Sequence, residues 1–249
     1  LPRSLERSVA MGLESFRPGA RAAVVGASGG IGGAVARLLR DDPGVSETLL
    51  FSRSGRGPDG EAARRLDVTD EDSIAAASDG LGEIDLVFVA TGMLHDGAHQ
   101  PEKDIRALDR ERLLRSLDVN AVGPALVAKH FLPLLPRKAR GVFAAISARV
   151  GSIGDNGIGG WHGYRASKAA LNMLLKNFAI EIGRKRAEAV ILGLQPGTVD
   201  TALSKPFQGA AKTVMTPEES AAALLDVIDR STPAWSGGLY DWRGDRLPY

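Results

Sequence analysis

The chain has 249 residues, with 31 Lys+Arg against 30 Asp+Glu for a formal net charge of +1, 44% hydrophobic residues, 30 Gly and no Cys. The absence of cysteine excludes a disulfide framework, a thiol nucleophile and cysteine-ligated metal sites. The balanced charge argues against binding nucleic acid through a basic excess, and no apolar run approaches the ~20 residues of a membrane span, so neither is expected as a partner.

Residues 1–18 carry Arg3, Arg7 and Arg17 but lack the apolar core of a secretory signal. They are expected to be an N-terminal extension or an expression remnant lying outside the fold. A single domain is expected over 19–249. Within it, apolar runs at 22–26, 48–51, a short one ending at 66–68, then 86–90, 142–146, 189–194 and 238–240 predict strands. Helical patterns at 30–40, 71–77, 109–119, 121–135, 164–182 and 217–229 alternate with them. This alternation predicts an α/β fold with a single doubly wound parallel sheet of about seven strands, Rossmann-like, with helices on both faces. The long strandless stretch 197–216 is expected to be a functional lid.

The first predicted strand runs into Gly26-Ala27-Ser28-Gly29-Gly30-Ile31-Gly32-Gly33 and then directly into a helical pattern. Glycines let the backbone turn tightly and approach a pyrophosphate, while a helix N-terminus offers free amides and partial positive charge. A glycine-rich turn that only packs a helix on a strand is the bland alternative. No Gly-Lys-Ser/Thr follows, which excludes a P-loop. At the end of the second strand stand Ser52, Arg53 and Ser54 in place of the acid that favours NAD, so NADP(H) is the preferred cofactor and NAD(H) the alternative. Next, His95 and His99 flank an Asp96-Gly97 turn. That spacing predicts a loop over the cleft rather than a metal pair, and no metal is expected.

Asn120 precedes Pro124 by four residues. Proline has no amide hydrogen, so the carbonyl of residue 120 is left free in mid-helix, where it can hold a water. Asn120 as the cap of the following helix is the equal alternative. Further along, Tyr164 and Lys168 are four apart and so share one helix face. A free phenol has a pKa near ~10, and a neighbouring ammonium is expected to lower it into the range of acid–base work.

The glycine turn, Asn120, the Tyr164-x-x-x-Lys168 pair and Pro196-Gly197-Thr198-Val199-Asp200-Thr201 stand in the order found in the short-chain dehydrogenase/reductase family, which the chain resembles from about residue 20 to its end. Gly237-Gly238-Leu239 and Leu247-Pro248, with the long loop before Tyr164, resemble its C-factor-like branch, which includes carbonyl reductases. The resemblance implies cofactor contacts at Gly26, Ser28, Gly30, Ile31 and Gly32, at Asp67 and Val68 beside adenine, and at Ala90, Thr91 and Gly92. It also implies contacts at Tyr164, Lys168, Pro196, Gly197, Val199 and Thr201. It further implies that Asn120 positions a proton-relay water. Asp67 as a helix cap is the local alternative to an adenine contact.

Three departures accompany the resemblance. Val25 replaces the usual Thr before the first glycine, and Val89-Ala90 replaces an asparagine pair. Counting back from Gly151, Ala148 occupies the place of the family's serine, with Ser147 one residue early. Alternation along a strand would turn Ser147 to the other face unless a bulge re-aims it, or Ser152 takes over. Ser147 is retained as the candidate carbonyl-polarising residue. The sequence thus reads as a cytoplasmic NADP(H)-preferring oxidoreductase acting on a carbonyl or alcohol substrate, and as a homodimer or homotetramer. The alternative is a dinucleotide-binding signalling or regulatory protein with weak or no catalysis.

Overall fold

The computed structural model describes residues 12–96, 100–210 and 213–249. Apolar residues on consecutive positions of a strand point to opposite faces, so strands apolar throughout must be covered on both sides. The strands β1 (Ala20–Val25), β2 (Val45–Ser52), β3 (Arg64–Arg65), β4 (Leu86–Val89), β5 (Gly141–Ile146), β6 (Ala189–Gln195), β7 (Gly238–Asp241) and β8 (Arg246–Leu247) form one sheet. Their order is β3-β2-β1-β4-β5-β6-β7-β8. Neighbours from β3 through β7 pair in parallel, and β8 pairs antiparallel with β7. The seven strands β1–β7 match the expected parallel sheet of about seven strands, and β8 adds a short antiparallel edge. It spans two residues, too few to show a period in the sequence.

The helices are α1 (Gly30–Asp41), α2 (Glu71–Ser78), α3 (Arg110–Leu117), α4 (Gly123–Phe131), α5 (His162–Gly183) and α6 (Pro217–Arg230). One side of the sheet packs Val24, Leu86, Phe88, Val142 and Leu192 against Val35 and Leu39 of α1 and Leu224 and Ile228 of α6. The other packs Val25, Val87, Val89, Phe143 and Ile191 against Ile74 of α2, Phe131 of α4, and Leu171 and Leu175 of α5. Among the described residues no helix is long and apolar enough to cross a membrane.

The expected separate helices over 109–119 and 121–135 are joined. A π-helical turn, Asp118–Val122, carries α3 into α4, and the Gly123 amide donates to the Asp118 carbonyl. Pro124 has no amide to give, so the ladder slips by one residue at this point rather than breaking. Residues 12–18 also differ from expectation. Leu13 and Phe16 are buried in the core, the Leu13 amide donates to Asp42 at 2.8 Å, and Arg17 pairs with the buried Asp85 at 2.7 Å. These residues belong to the fold, and residues 1–11 lie outside the described ones.

The strand order reverses beside β1, whose successor β2 lies on one side and β4 on the other. In open α/β sheets the crevice beyond the carboxyl ends at such a switch point is where ligands bind.

Candidate active site

The turn from β1 into α1 is shaped by backbone crowding. Gly26 has φ +91°, and a β-carbon there would stand 3.0 Å from the Ala90 carbonyl. One at Gly32 would stand 2.2 Å from the Gly26 oxygen, and one at Gly30 would stand 2.7 Å from Thr201 Cγ2. Only glycines let these segments approach so closely. The N-cap of α1, Gly29, provides no side-chain hydrogen bond, and its first turn holds no acid. The first amides of α1 therefore face the crevice uncapped, as an anion site requires.

That crevice is a cleft of about 420 Å³ lined by Gly30, Ile31, Ala90, Thr91 and Gly92 on one side. Tyr164, Lys168, Pro196, Gly197, Val199 and Thr201 line it elsewhere. Thr91 Oγ1 is buried with no hydrogen-bond partner among the described residues. An uncapped helix end, a glycine cradle and an orphaned hydroxyl in one cleft fit a dinucleotide.

Ser28 is exposed on the turn. At the end of β2, Arg53 and Ser54 are also exposed, whereas Ser52 is buried and its hydroxyl donates to the Arg56 carbonyl at 2.7 Å. Asp67 accepts from the Thr69 amide and hydroxyl, and these bonds, together with the positive charges of Arg53 and Arg115, hold its carboxyl below the usual range. The cap of α2 is Asp70, so the capping alternative for Asp67 does not hold. Val68 is buried against the position where a Gly123 β-carbon would stand.

With Tyr164 beside the lysine, Asn120 and Lys168 converge behind Gly92. Seen from a β-carbon placed there, Asn120 Oδ1 lies at 3.5 Å and Lys168 Nζ at 3.6 Å. Asn120 is buried inside the π-helical turn, so it is not a helix cap. Its amide accepts from the Met93 N–H at 2.7 Å and donates to the Met93 carbonyl at 2.8 Å and to Ser167 Oγ at 3.1 Å. Lys168 is buried, donates to the Ile146 carbonyl at 2.9 Å, and lies 5.8 Å from the centre of the Tyr164 ring. Burial pushes the Tyr164 hydroxyl up to about 12 and the Lys168 ammonium down to about 8. The expected lowering of the Tyr164 pKa is thus reversed. The ammonium is bonded to a backbone carbonyl rather than to the phenol, and desolvation of the phenolate dominates.

Ser147 lines the cleft, and the β5–β6 register runs to Ile146 without a bulge. Its amide continues the sheet by donating to the Leu194 carbonyl at 2.7 Å, and its buried hydroxyl donates to Asn172 Oδ1 on α5 at 2.7 Å. Ala148 follows it on the cleft wall. Ser152 is buried as well, and its hydroxyl accepts from the Asp155 amide. The hydroxyl expected of Ser147 as the carbonyl-polarising group is thus bonded to Asn172, while Ser152 Oγ, accepting from an amide, keeps its own proton.

Within the expected lid, 197–216, a 3-10 helix spans Lys205–Ala210. Its Phe207 ring lies 5.3 Å from Trp161 and 5.6 Å from His95. His99 lies outside the described residues. Among the described residues no group of three metal-ligating side chains occurs.

Sequence reasoning missed Ser167 and Asn172. Ser167 donates to the Tyr164 carbonyl at 2.8 Å while accepting from Asn120, which ties two predicted residues together. Asn172 stands four residues beyond Lys168 on the same helix face, and that spacing was a usable signal.

The family model described as short chain dehydrogenase matches residues 20–211. The chain is 34% identical over 220 residues to the 1-hydroxy-2-glutathionyl-2-methyl-3-butene dehydrogenase of Rhodococcus sp. (strain AD45), covering 86% of this chain and 92% of that one. It is 32% identical over 142 residues to the C-signal protein of Myxococcus xanthus, covering 57% and 81%. A putative short-chain dehydrogenase/reductase of Burkholderia multivorans, solved with bound NADP, superposes with a TM-score of 0.77 at 27% identity, covering 93% of this chain and 100% of that one.

Proposed function

The chain belongs to the short-chain dehydrogenase family, and from that premise we propose that it is an NADP(H)-preferring oxidoreductase, with NAD(H) as the alternative, that interconverts a small-molecule carbonyl compound and its alcohol. The observation that carries this reading is the convergence of Tyr164, Lys168 and Asn120 beside the glycine turn. When bound, a nicotinamide dinucleotide supplies or accepts the hydride. The uncapped amides of α1 at Gly30, Ile31 and Gly32 would hold its pyrophosphate. Arg53 and Ser54 would take the 2′-phosphate, Asp67 and Val68 would border adenine, and Pro196, Gly197, Val199 and Thr201 would border the nicotinamide half. NADP bound in the Burkholderia structure supports the cofactor preference.

The Tyr164 hydroxyl, raised to about 12, keeps its proton at neutral pH and is ready to donate it to a carbonyl oxygen in the reductive direction. The Lys168 ammonium would stabilise the phenolate left behind and bind ribose hydroxyls, and Asn120 would organise a proton-relay water. Ser147, which lines the same cleft, would polarise the carbonyl beside Tyr164 by turning its hydroxyl from Asn172 to the substrate.

A second reading, a dinucleotide-binding regulatory protein with weak or no catalysis, is favoured by the methyl group of Ala148 on the cleft wall. One experiment separates the two. NADPH oxidation is followed across a panel of aldehydes and ketones for wild type and Tyr164→Phe, with cofactor affinity measured by fluorescence titration. The expected result is turnover in wild type, a loss of about 100-fold or more in the variant, and NADPH affinity unchanged within about twofold. Tight NADPH binding by wild type without oxidation on any carbonyl would support the regulatory reading. Equal turnover in Tyr164→Phe would remove the mechanism.

A further inference from the structure

The helix that presents Tyr164 and Lys168 begins without a cap of its own. Its N-cap residue, Trp161, has φ +49°, makes no side-chain capping bond, and is followed by no acid in the first turn. Local sequence normally supplies a Ser, Thr, Asp or Asn there, because the first amides of a helix have no partner within it. Here the acceptors come from far away in the chain. Glu102, buried at 6% exposure, accepts from the Gly163 amide through Oε2 at 3.1 Å, and its carbonyl accepts from the Trp161 amide at 2.5 Å. The fit leaves no slack. A β-carbon at Gly163 would stand 3.1 Å from Glu102 Oε1, 3.1 Å from Ser116 Oγ and 3.5 Å from Leu113 Cδ2 of α3. Glu102 also walls a second cavity, of about 360 Å³, whose lining includes Tyr164 and the Met93 that Asn120 holds.

We propose that Glu102 is a positioning residue for the reaction: by anchoring Trp161 and Gly163 it fixes where α5 begins and hence where the Tyr164 hydroxyl stands. The inference rests on the oxidoreductase reading above. Tyr164 lies in the first turn of α5, one residue beyond the anchored amide. The first turn is the part of a helix most prone to fray, and a shift of ~1 Å in a reacting group can cost ~100-fold in rate. Glu102 touches neither substrate nor reacting atoms in this account, and its effect passes through the helix.

The test uses the full chain with two conservative variants. Glu102→Asp withdraws the acceptor by one methylene while keeping the charge, and Glu102→Gln keeps the reach while removing it. For Glu102→Asp we expect kcat to fall about tenfold. The carbonyl KM and NADPH affinity should stay within about twofold, and amide exchange at Gly163 should accelerate about tenfold. Glu102→Gln should remain within about twofold of wild type in all four. Unchanged kcat in Glu102→Asp overturns the proposal, as does joint loss of kcat and NADPH affinity, which would signify general damage. Equal impairment of Glu102→Gln also overturns it, because charge rather than reach would then matter. If wild type binds NADPH but reduces no carbonyl, the functional reading fails, and exchange at Gly163 alone decides whether Glu102 anchors the helix.

Discussion

At the scale of single residues, the pair Tyr164 and Lys168 sets the pH behaviour. Burial moves the two groups in opposite directions, since it penalises whichever form is charged: the phenol goes up to about 12 and the ammonium comes down to about 8. In the proposed reduction the donor is the neutral phenol, and its own titration lies above the working range. The limiting group is then Lys168, which is charged below about pH 8 and loses its proton above it. Turnover in the reductive direction should therefore hold steady below pH 8 and decline as pH rises through it, by up to about tenfold per unit. Lys168→Arg, with a guanidinium that stays charged, should remove that limb while lowering the plateau. A kcat profile measured from pH 6 to 10 checks both, and a wild-type plateau extending past pH 9.5 would exclude Lys168 as the controlling charge. Ser147 is the contrary case at this scale. It lines the cleft, yet its hydroxyl bonds Asn172, a partner 25 positions away in the chain.

At the scale of elements, the β1–α1 turn and the α3–α4 junction both follow from what one residue's backbone lacks. Gly32 sits where a β-carbon would stand 2.2 Å from the Gly26 carbonyl, a contact with rigid backbone that no rotamer relieves. Substituting Ala there improves helix propensity by up to about 1 kcal/mol but forces the turn open. We expect NADPH affinity of Gly32→Ala to fall at least about tenfold. Fluorescence titration reads this directly, and wild-type affinity would show that the turn does not form the phosphate cradle. At the junction, the missing amide of Pro124 produces the π-helical turn that buries Asn120 and aims its amide at Met93. The sequence reading rested on the residue-120 carbonyl, which Pro124 has no amide to bond. It did not identify the side-chain amide as a clamp on the segment after β4.

For the whole molecule, the sheet needs cover on both faces, and part of that cover comes from residues ahead of β1. Phe16 is buried in the core beside Leu13, with the Arg140 guanidinium 5.0 Å from its ring centre. Deleting such a ring removes apolar burial and a cation–π contact, so Phe16→Ala should destabilise by about 3 kcal/mol. Because Phe16 lines neither cavity, NADPH affinity of the folded protein should stay at the wild-type value. Urea unfolding with a parallel cofactor titration measures both; an unchanged midpoint would place residues 12–18 outside the cooperative fold. Much of this architecture was legible in the sequence. Strands apolar at consecutive positions, helices at period 3.6 and glycines between them are local signals, and they sufficed for the doubly wound sheet, the glycine turn and the Tyr164–Lys168 face. Contacts between distant segments had no such signal. The burial of Leu13 and Phe16, the antiparallel β8, the tie between Ser147 and Asn172, and the anchoring of α5 by Glu102 each depend on which chain segments meet across space. Charge state belongs with them: the sequence placed an ammonium one helical turn from a phenol, but only the packing around both determined that desolvation outweighs their attraction.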